Sequence, residues 1–156
     1  MDYTALQVKT SYSILESLNN ISELVSKARD LGYTSLSITD SNNLFGVIEF
    51  YLECKKYNIK PIIGIEIDIN NSKVLLYAIN NIGYKQLIKL STKTSEENIS
   101  ISDLKDNNNL ILVMPIKYFN QEIYDMFNYK YIGYSSKEER DKITDNYKKV
   151  FINDVS

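Results

Sequence analysis

Histidine is absent from all 156 residues of the chain. That absence removes the commonest titrating group near neutral pH and the commonest nitrogen ligand for catalytic metals, so Ser-His-Asp triads, Cys-His pairs and histidine-bound zinc are excluded. A single cysteine, Cys54, cannot form an internal disulfide. With an N-terminus, Met1-Asp2-Tyr3-Thr4, that lacks the basic and apolar regions of a secretory signal, this points to a reducing cytoplasm. Tryptophan is missing and there are only five glycines and two prolines. Gly83 accordingly lacks the companions that a phosphate-cradling loop requires. No apolar run approaches the ~20 residues needed to cross a bilayer. Nor is there an excess of positive charge: 18 basic against 20 acidic residues leave a net charge of −2. The field that drives sequence-independent binding to nucleic acid is therefore lacking.

What remains is ordinary for a globular domain, with 44% hydrophobic and 24% charged residues, and residues 1–156 are expected to form one domain. Tyr3 to Lys9 alternates and predicts a first strand. Ile21, Leu24, Val25, Ala28 and Leu31 fall at helical spacing, with Asn20 as N-cap and Gly32 as a stop. Ser35–Thr39 predicts a second strand, ended by the polar turn Asp40-Ser41-Asn42-Asn43, and helical spacing returns from Leu44 to Tyr57. Pro61 opens a third strand that runs to Ile67. After a turn at Asn70-Asn71, Val74–Ile79 predicts a fourth, and a helix is expected from Gly83 to Leu90.

Thr92 to Asn98 reads as a polar loop, with Ser102 a candidate cap for a short turn. A fifth strand, Leu110–Met114, ends at Pro115. Helical pieces near Gln121–Phe127 and Lys137–Tyr147 then alternate with strands at Tyr129–Ile132 and Val150–Ile152. Alternation of this kind predicts an α/β fold with largely parallel strands, and the continuous apolar third, fourth and fifth strands predict burial on both faces.

Several segments, in order, resemble the PHP (polymerase and histidinol phosphatase) domain that opens the bacterial DNA polymerase III alpha subunit. Tyr3 to Leu15 (YTALQVKTSYSIL) is similar to its first strand and turn, and Leu36 to Gly46 (LSITDSNNLFG) to its TDH-containing turn. Glu49 to Glu66 (EFYLECKKYNIKPIIGIE) and Val74 to Leu90, with Asn80 and Gly83-Tyr84, continue the match. The resemblance implies a distorted barrel of about seven strands, a (β/α)7 arrangement, with its site at the C-terminal strand ends. It also implies that this chain is an N-terminal piece of a longer polymerase, cut short at its C-terminus.

Catalytic members of that family hold metals with histidines and carboxylates converging from several strand ends, which lets the ions activate water and clamp phosphate oxygens. By the resemblance, Ala5, Gln7, Lys9, Ser41 and Ser156 stand where such histidines would be. Lys73, just before the fourth strand, occupies another position where relatives carry histidine. Acidic residues persist at Glu16, Asp40, Glu66 and Asp154; Glu66 and Asp154 match carboxylate ligands, and Glu16 replaces an aspartate. The expectation is no catalytic residue and no metal, with Lys9 pairing Glu66 or Asp154 as a fixed cation and Asp40 capping its turn. Mg²⁺ or Mn²⁺ on the carboxylates alone is the alternative.

Three functions follow for testing. In the first, the domain is a non-catalytic structural and interaction module whose partners are the remaining polymerase domains and replisome proteins, meeting primer-template DNA only through the parent. The second is a surviving Mg²⁺- or Mn²⁺-dependent phosphoesterase or 3′–5′ exonuclease on Glu16, Glu66 and Asp154. The third is a free-standing ligand-binding α/β protein. Tyr12, Tyr33, Tyr51 and Tyr57 read as packing residues with hydroxyls at the rim, and Cys54 as a buried filler rather than a nucleophile. Lys55-Lys56, Lys148-Lys149 and Glu138-Glu139-Arg140 read as solvated helix faces.

Overall fold

In a computed structural model that describes residues 4–5, 30, 35–41 and 47–152, the backbone turns at Asn70 and Asn71 with φ of 47° and 61°. Asparagine tolerates this left-handed region better than other residues with a Cβ. Two such residues in succession form the turn that matches the twist of an antiparallel hairpin. The flanking strands are β3 (Lys60–Ile69) and β4 (Ser72–Ala78). Their register pairs Ile69 with Ser72, Asp68 with Lys73 and Glu66 with Leu75. A two-residue connection cannot make a parallel crossover.

This hairpin lies at the centre of one seven-stranded sheet whose spatial order follows the sequence. On one side are β2 (Ser35–Ser41) and β1 (Thr4–Ala5), each parallel to its neighbour. Beyond β4 come β5 (Leu110–Pro115), β6 (Lys130–Tyr134) and β7 (Lys149–Phe151). Pairs β5–β6 and β6–β7 are parallel, whereas β4 runs antiparallel to both neighbours. The sheet is therefore mixed. Among the described residues no ladder joins β7 back to β1.

The helices are α1 (Val47–Lys56), α2 (Asn81–Glu96), α3 (Gln121–Met126) and α4 (Lys137–Lys142), with short 3-10 turns at Ile101–Leu104 and Ile116–Tyr118. Helix α1 ends in a Schellman closure. The Ile59 amide donates to the Cys54 carbonyl at 2.8 Å and the Asn58 amide to that of Lys55 at 3.2 Å, with Asn58 left-handed at φ 57°. Its apolar members, Ile59 and Cys54, are both buried.

At the start of α2, Asn80 accepts from the Gly83 amide at 3.0 Å and donates to the Asn109 side chain at 2.8 Å. Gly83 fits so close to the chain at Asn109 that a Cβ would stand 2.2 Å from that residue's backbone oxygen.

Strand alternation separates two cores. On the helix-covered face Ile65, Ile67 and Ile69 pack with Val74, Leu76, Leu87, Leu112, Ile123 and Phe127. On the opposite face Leu75, Tyr77, Val113 and Ile152 form a smaller cluster against Ile62, Tyr118 and Tyr131. Strand β4 is thus buried on both faces, as expected, although its pairing is antiparallel.

Several boundaries differ from expectation. Strand β2 continues through Asp40 and Ser41, because both pair with β3 instead of forming a turn. Thr92 to Glu96 is helical, and Glu97 closes α2 with its amide on the Lys93 carbonyl. The cap of the following 3-10 turn is Ser100, not Ser102; the Asp103 carboxylate accepts from the Ser100 amide at 2.8 Å. Helix α4 is shorter than predicted. Asp30 is helical, and the rest of the helix expected over 21–31 lies outside the described residues.

Candidate functional site

Glu66 in β3 is a carboxylate buried in the sheet, only 2% exposed. Alternation places it on the small-cluster face of β3, two residues from Asp68, and the hairpin register brings Lys73 opposite Asp68. The Lys73 ammonium donates to Asp68 Oδ1 at 2.8 Å and stands 3.6 Å from Glu66 Oε1. Lys73 therefore belongs to β4 itself. Hydrogen bonding to Asp68 is the largest influence raising its pKa; partial burial opposes this, and the charges of Asp68 and Glu66 add to it.

The two ion pairs differ in worth. Asp68 has a side chain 61% exposed, so its pair is a surface interaction of about 0–1 kcal/mol. Glu66, with its side chain 3% exposed, depends far more on its neighbour. A carboxylate in that position without a counter-charge would be costly.

Of the other positions singled out in the sequence, Ser41 is the register partner of Glu66, and Asp40 pairs with Ile65. Ala5 is paired with Leu36, further back on the sheet. Gln7, Lys9, Glu16, Asp154 and Ser156 lie outside the described residues. The structure thus brings Ser41 and Lys73 to Glu66. Among the described residues, Lys73 stands beside Glu66, at a position where the resemblance implies a lost histidine. Among the described residues no three His, Cys, Asp or Glu side chains gather as a metal-ligand group, and an ammonium 3.6 Å from Glu66 repels a second cation.

Cys54 is fully buried, and burial, with Glu53 adding to it, pushes the thiol up to about 12. It holds essentially no thiolate at neutral pH and is no nucleophile. The tyrosines behave less simply than expected. Tyr77 and Tyr124 are buried, but Tyr51 is 40% exposed. Cationic groups lie over several rings, including Lys55 on Tyr51 at 5.0 Å, Lys56 on Tyr57 at 5.4 Å and Lys130 on Tyr124 at 4.6 Å. Tyr12 and Tyr33 lie outside the described residues.

Two of the charged runs are not free helix faces. Lys149 lies in β7 and donates to the Ile143 carbonyl at 3.1 Å. Glu139 accepts from the Ser135 amide at 2.7 Å at the start of α4. No helix among the described residues is long and apolar enough to cross a membrane.

Comparison with known proteins adds three findings. The family model of the PHP domain matches residues 5–155. The DNA polymerase III subunit alpha of Bacillus subtilis is 39% identical over 99 residues, covering 59% of this chain and 9% of that protein. That of Ureaplasma parvum is 41% identical over 110 residues, covering 69% and 11%. An error-prone DNA polymerase of Saccharophagus degradans is 34% identical over 133 residues, covering 81% of this chain and 13% of its own length. The matched segment is thus about a tenth of these relatives. Among solved structures, a protein from Bifidobacterium adolescentis assigned as a metal-dependent phosphoesterase superposes with a TM-score of 0.56 at 10% identity, covering 90% of this chain and 80% of that one. At that identity the likeness concerns the fold alone.

Proposed function

The chain belongs to the PHP domain family, and from that premise we propose that it is a non-catalytic structural and interaction module of a bacterial DNA polymerase III alpha subunit. Polymerase chemistry would then reside elsewhere in a longer cytoplasmic parent chain, of which residues 1–156 form one barrel-like PHP domain. Its partners would be the remaining polymerase domains and replisome proteins, and primer-template DNA would be met through the parent.

One observation carries the non-catalytic reading. Glu66, which by the resemblance is a metal-ligand position, has the Lys73 ammonium 3.6 Å away. A covalently tethered cation takes the place of an exchangeable one. It neutralises the carboxylate but cannot activate water or bind a phosphate oxygen in the way an open metal coordination position does. The substitutions at Ala5, Gln7, Lys9, Ser41 and Ser156 support the same conclusion, since a catalytic centre needs its ligand set complete.

Elemental analysis of tag-free protein, purified without chelator and challenged with Zn²⁺, Mn²⁺ and Mg²⁺, is the direct test. The expected result is less than one tightly bound ion per ten chains, with no Mn²⁺-dependent release of phosphate or nucleotides. A stoichiometric ion that is lost in Glu66→Ala would instead establish a phosphoesterase or 3′–5′ exonuclease built on Glu16, Glu66 and Asp154.

A further inference from the structure

At the other end of β3 from Glu66, on the helix-covered face, a groove of about 400 Å³ opens between α1 and the start of α2. Pro61, Ile63 and Ala78 form its floor, with Tyr51 and Leu52 on one wall and Tyr84 on the other. The rim is unusually apolar for a solvent-facing surface. Leu52 is 59% exposed, Ile79 46% and, in the adjoining first turn of α2, Ile82 58%. Aliphatic side chains of this size grouped around a cleft mark an interaction surface more often than scattered exposure does.

Charge indicates what the groove takes. Residues 47–59 and 79–90, which supply most of its lining, carry four lysines (Lys55, Lys56, Lys85 and Lys89) against two glutamates, Glu49 and Glu53, in a chain whose net charge is −2. Lys55 sits over the ring of Tyr51 at 5.0 Å, and Lys85, next to Tyr84 in the first turns of α2, is exposed. Of these glutamates, Glu53 is only partly exposed, with one carboxylate oxygen buried.

We propose that this groove docks an acidic amphipathic protein segment, whose apolar side chains lie on Pro61, Ile63 and Ala78 while its carboxylates meet Lys55 and Lys85. Helix-in-groove recognition uses this combination, with aromatic anchors at the walls and complementary charge at the rim. The aliphatic floor and rim favour a protein segment over single-stranded nucleic acid, which stacks its bases on aromatic platforms. The groove and Glu66 lie on opposite faces of the sheet, so the inference holds whether or not that site binds metal.

A random dodecapeptide display library panned on the intact chain, with Leu52→Asp and Ile82→Asp chains as counter-selection, tests this directly. Both substitutions are at exposed positions, and circular dichroism verifies that the variants remain folded. The expected winners combine Asp or Glu with large apolar residues, lose binding to both variants, and bind Lys85→Glu or Lys55→Glu roughly three- to tenfold more weakly at low salt. Failure to enrich any peptide over the counter-selected chains would overturn the proposal, as would enrichment of basic peptides. Binding of a dT12 oligonucleotide that Leu52→Asp abolishes would assign the groove to nucleic acid instead. Concentration-dependent dimerisation in sedimentation, lost in the same variant, would assign it to a second copy of the chain.

Discussion

Gly83→Ala is expected to destabilise the domain by about 3 kcal/mol, lowering its thermal midpoint by roughly 6–12 °C for a chain of this size. A methyl group at Gly83 meets the backbone oxygen of Asn109 at 2.2 Å and the Cα of Ala78 at 3.3 Å. Neither obstacle can rotate away. The helix propensity gained, about 1 kcal/mol, offsets only part of the overpacking. Gly133 supplies the internal comparison. Its added Cβ would stand 2.8 Å from the end of the Ile152 side chain, which can adjust its rotamer, so Gly133→Ala should cost about 1 kcal/mol. Far-UV circular dichroism in urea measures both variants. Equal midpoint shifts would show that the approach of α2 to Asn109 is looser than the structure has it.

Lys73→Met is the second large effect. Breaking a buried ion pair typically costs about 3–5 kcal/mol. Because the Lys73 side chain keeps 23% of its surface in solvent, roughly 1–3 kcal/mol is expected here. Adding Glu66→Gln removes the buried carboxylate charge and should recover part of the loss.

The pH dependence has a definite sign. The folded pKa of Lys73 is raised. Its contribution is therefore fully present below the unfolded lysine value and is lost as pH rises through the folded one. The stability gap between parent and Lys73→Met should stay flat up to roughly pH 10 and narrow above it. A gap that is absent at pH 7, or unchanged well above pH 11, would remove Lys73 from its role as the counter-charge.

Much of the hairpin that builds this site could have been read from the residues. Asn70-Asn71 between two apolar runs is a turn signal, and a two-residue turn fixes the register by counting outward. Ile69 then faces Ser72, Asp68 faces Lys73, and Glu66 falls on the same side. What obscured this was the alternation of strands and helices, which suggests parallel pairing and leaves one antiparallel strand unmarked. Continuous apolar character reports burial on both faces of β4 but carries no information about strand direction.

The helix ends show a similar division. Asn80 with Gly83 was visible as a motif, yet only the fold reveals the Asn109 carbonyl that Gly83 accommodates. Asp40 and Ser41 look like turn residues by composition, and pairing with β3 overrides that preference. The groove escaped sequence reading altogether, because Leu52, Ile79 and Ile82 are ordinary apolar residues until their exposure is known.

The antiparallel hairpin at the centre of the sheet also bears on the order of assembly. Strands β3 and β4 are joined by two residues, so they can pair on the microsecond timescale of an isolated hairpin. Each parallel neighbour must first close a loop that contains a helix or longer segment, and loop closure is a cost incurred before contacts form. Substitutions at Ile67 and Val74 should therefore slow folding, whereas an equally destabilising change at Ile132 should mainly speed unfolding. The segment that carries Glu66 and Lys73 is then the template on which the rest of the sheet is laid down.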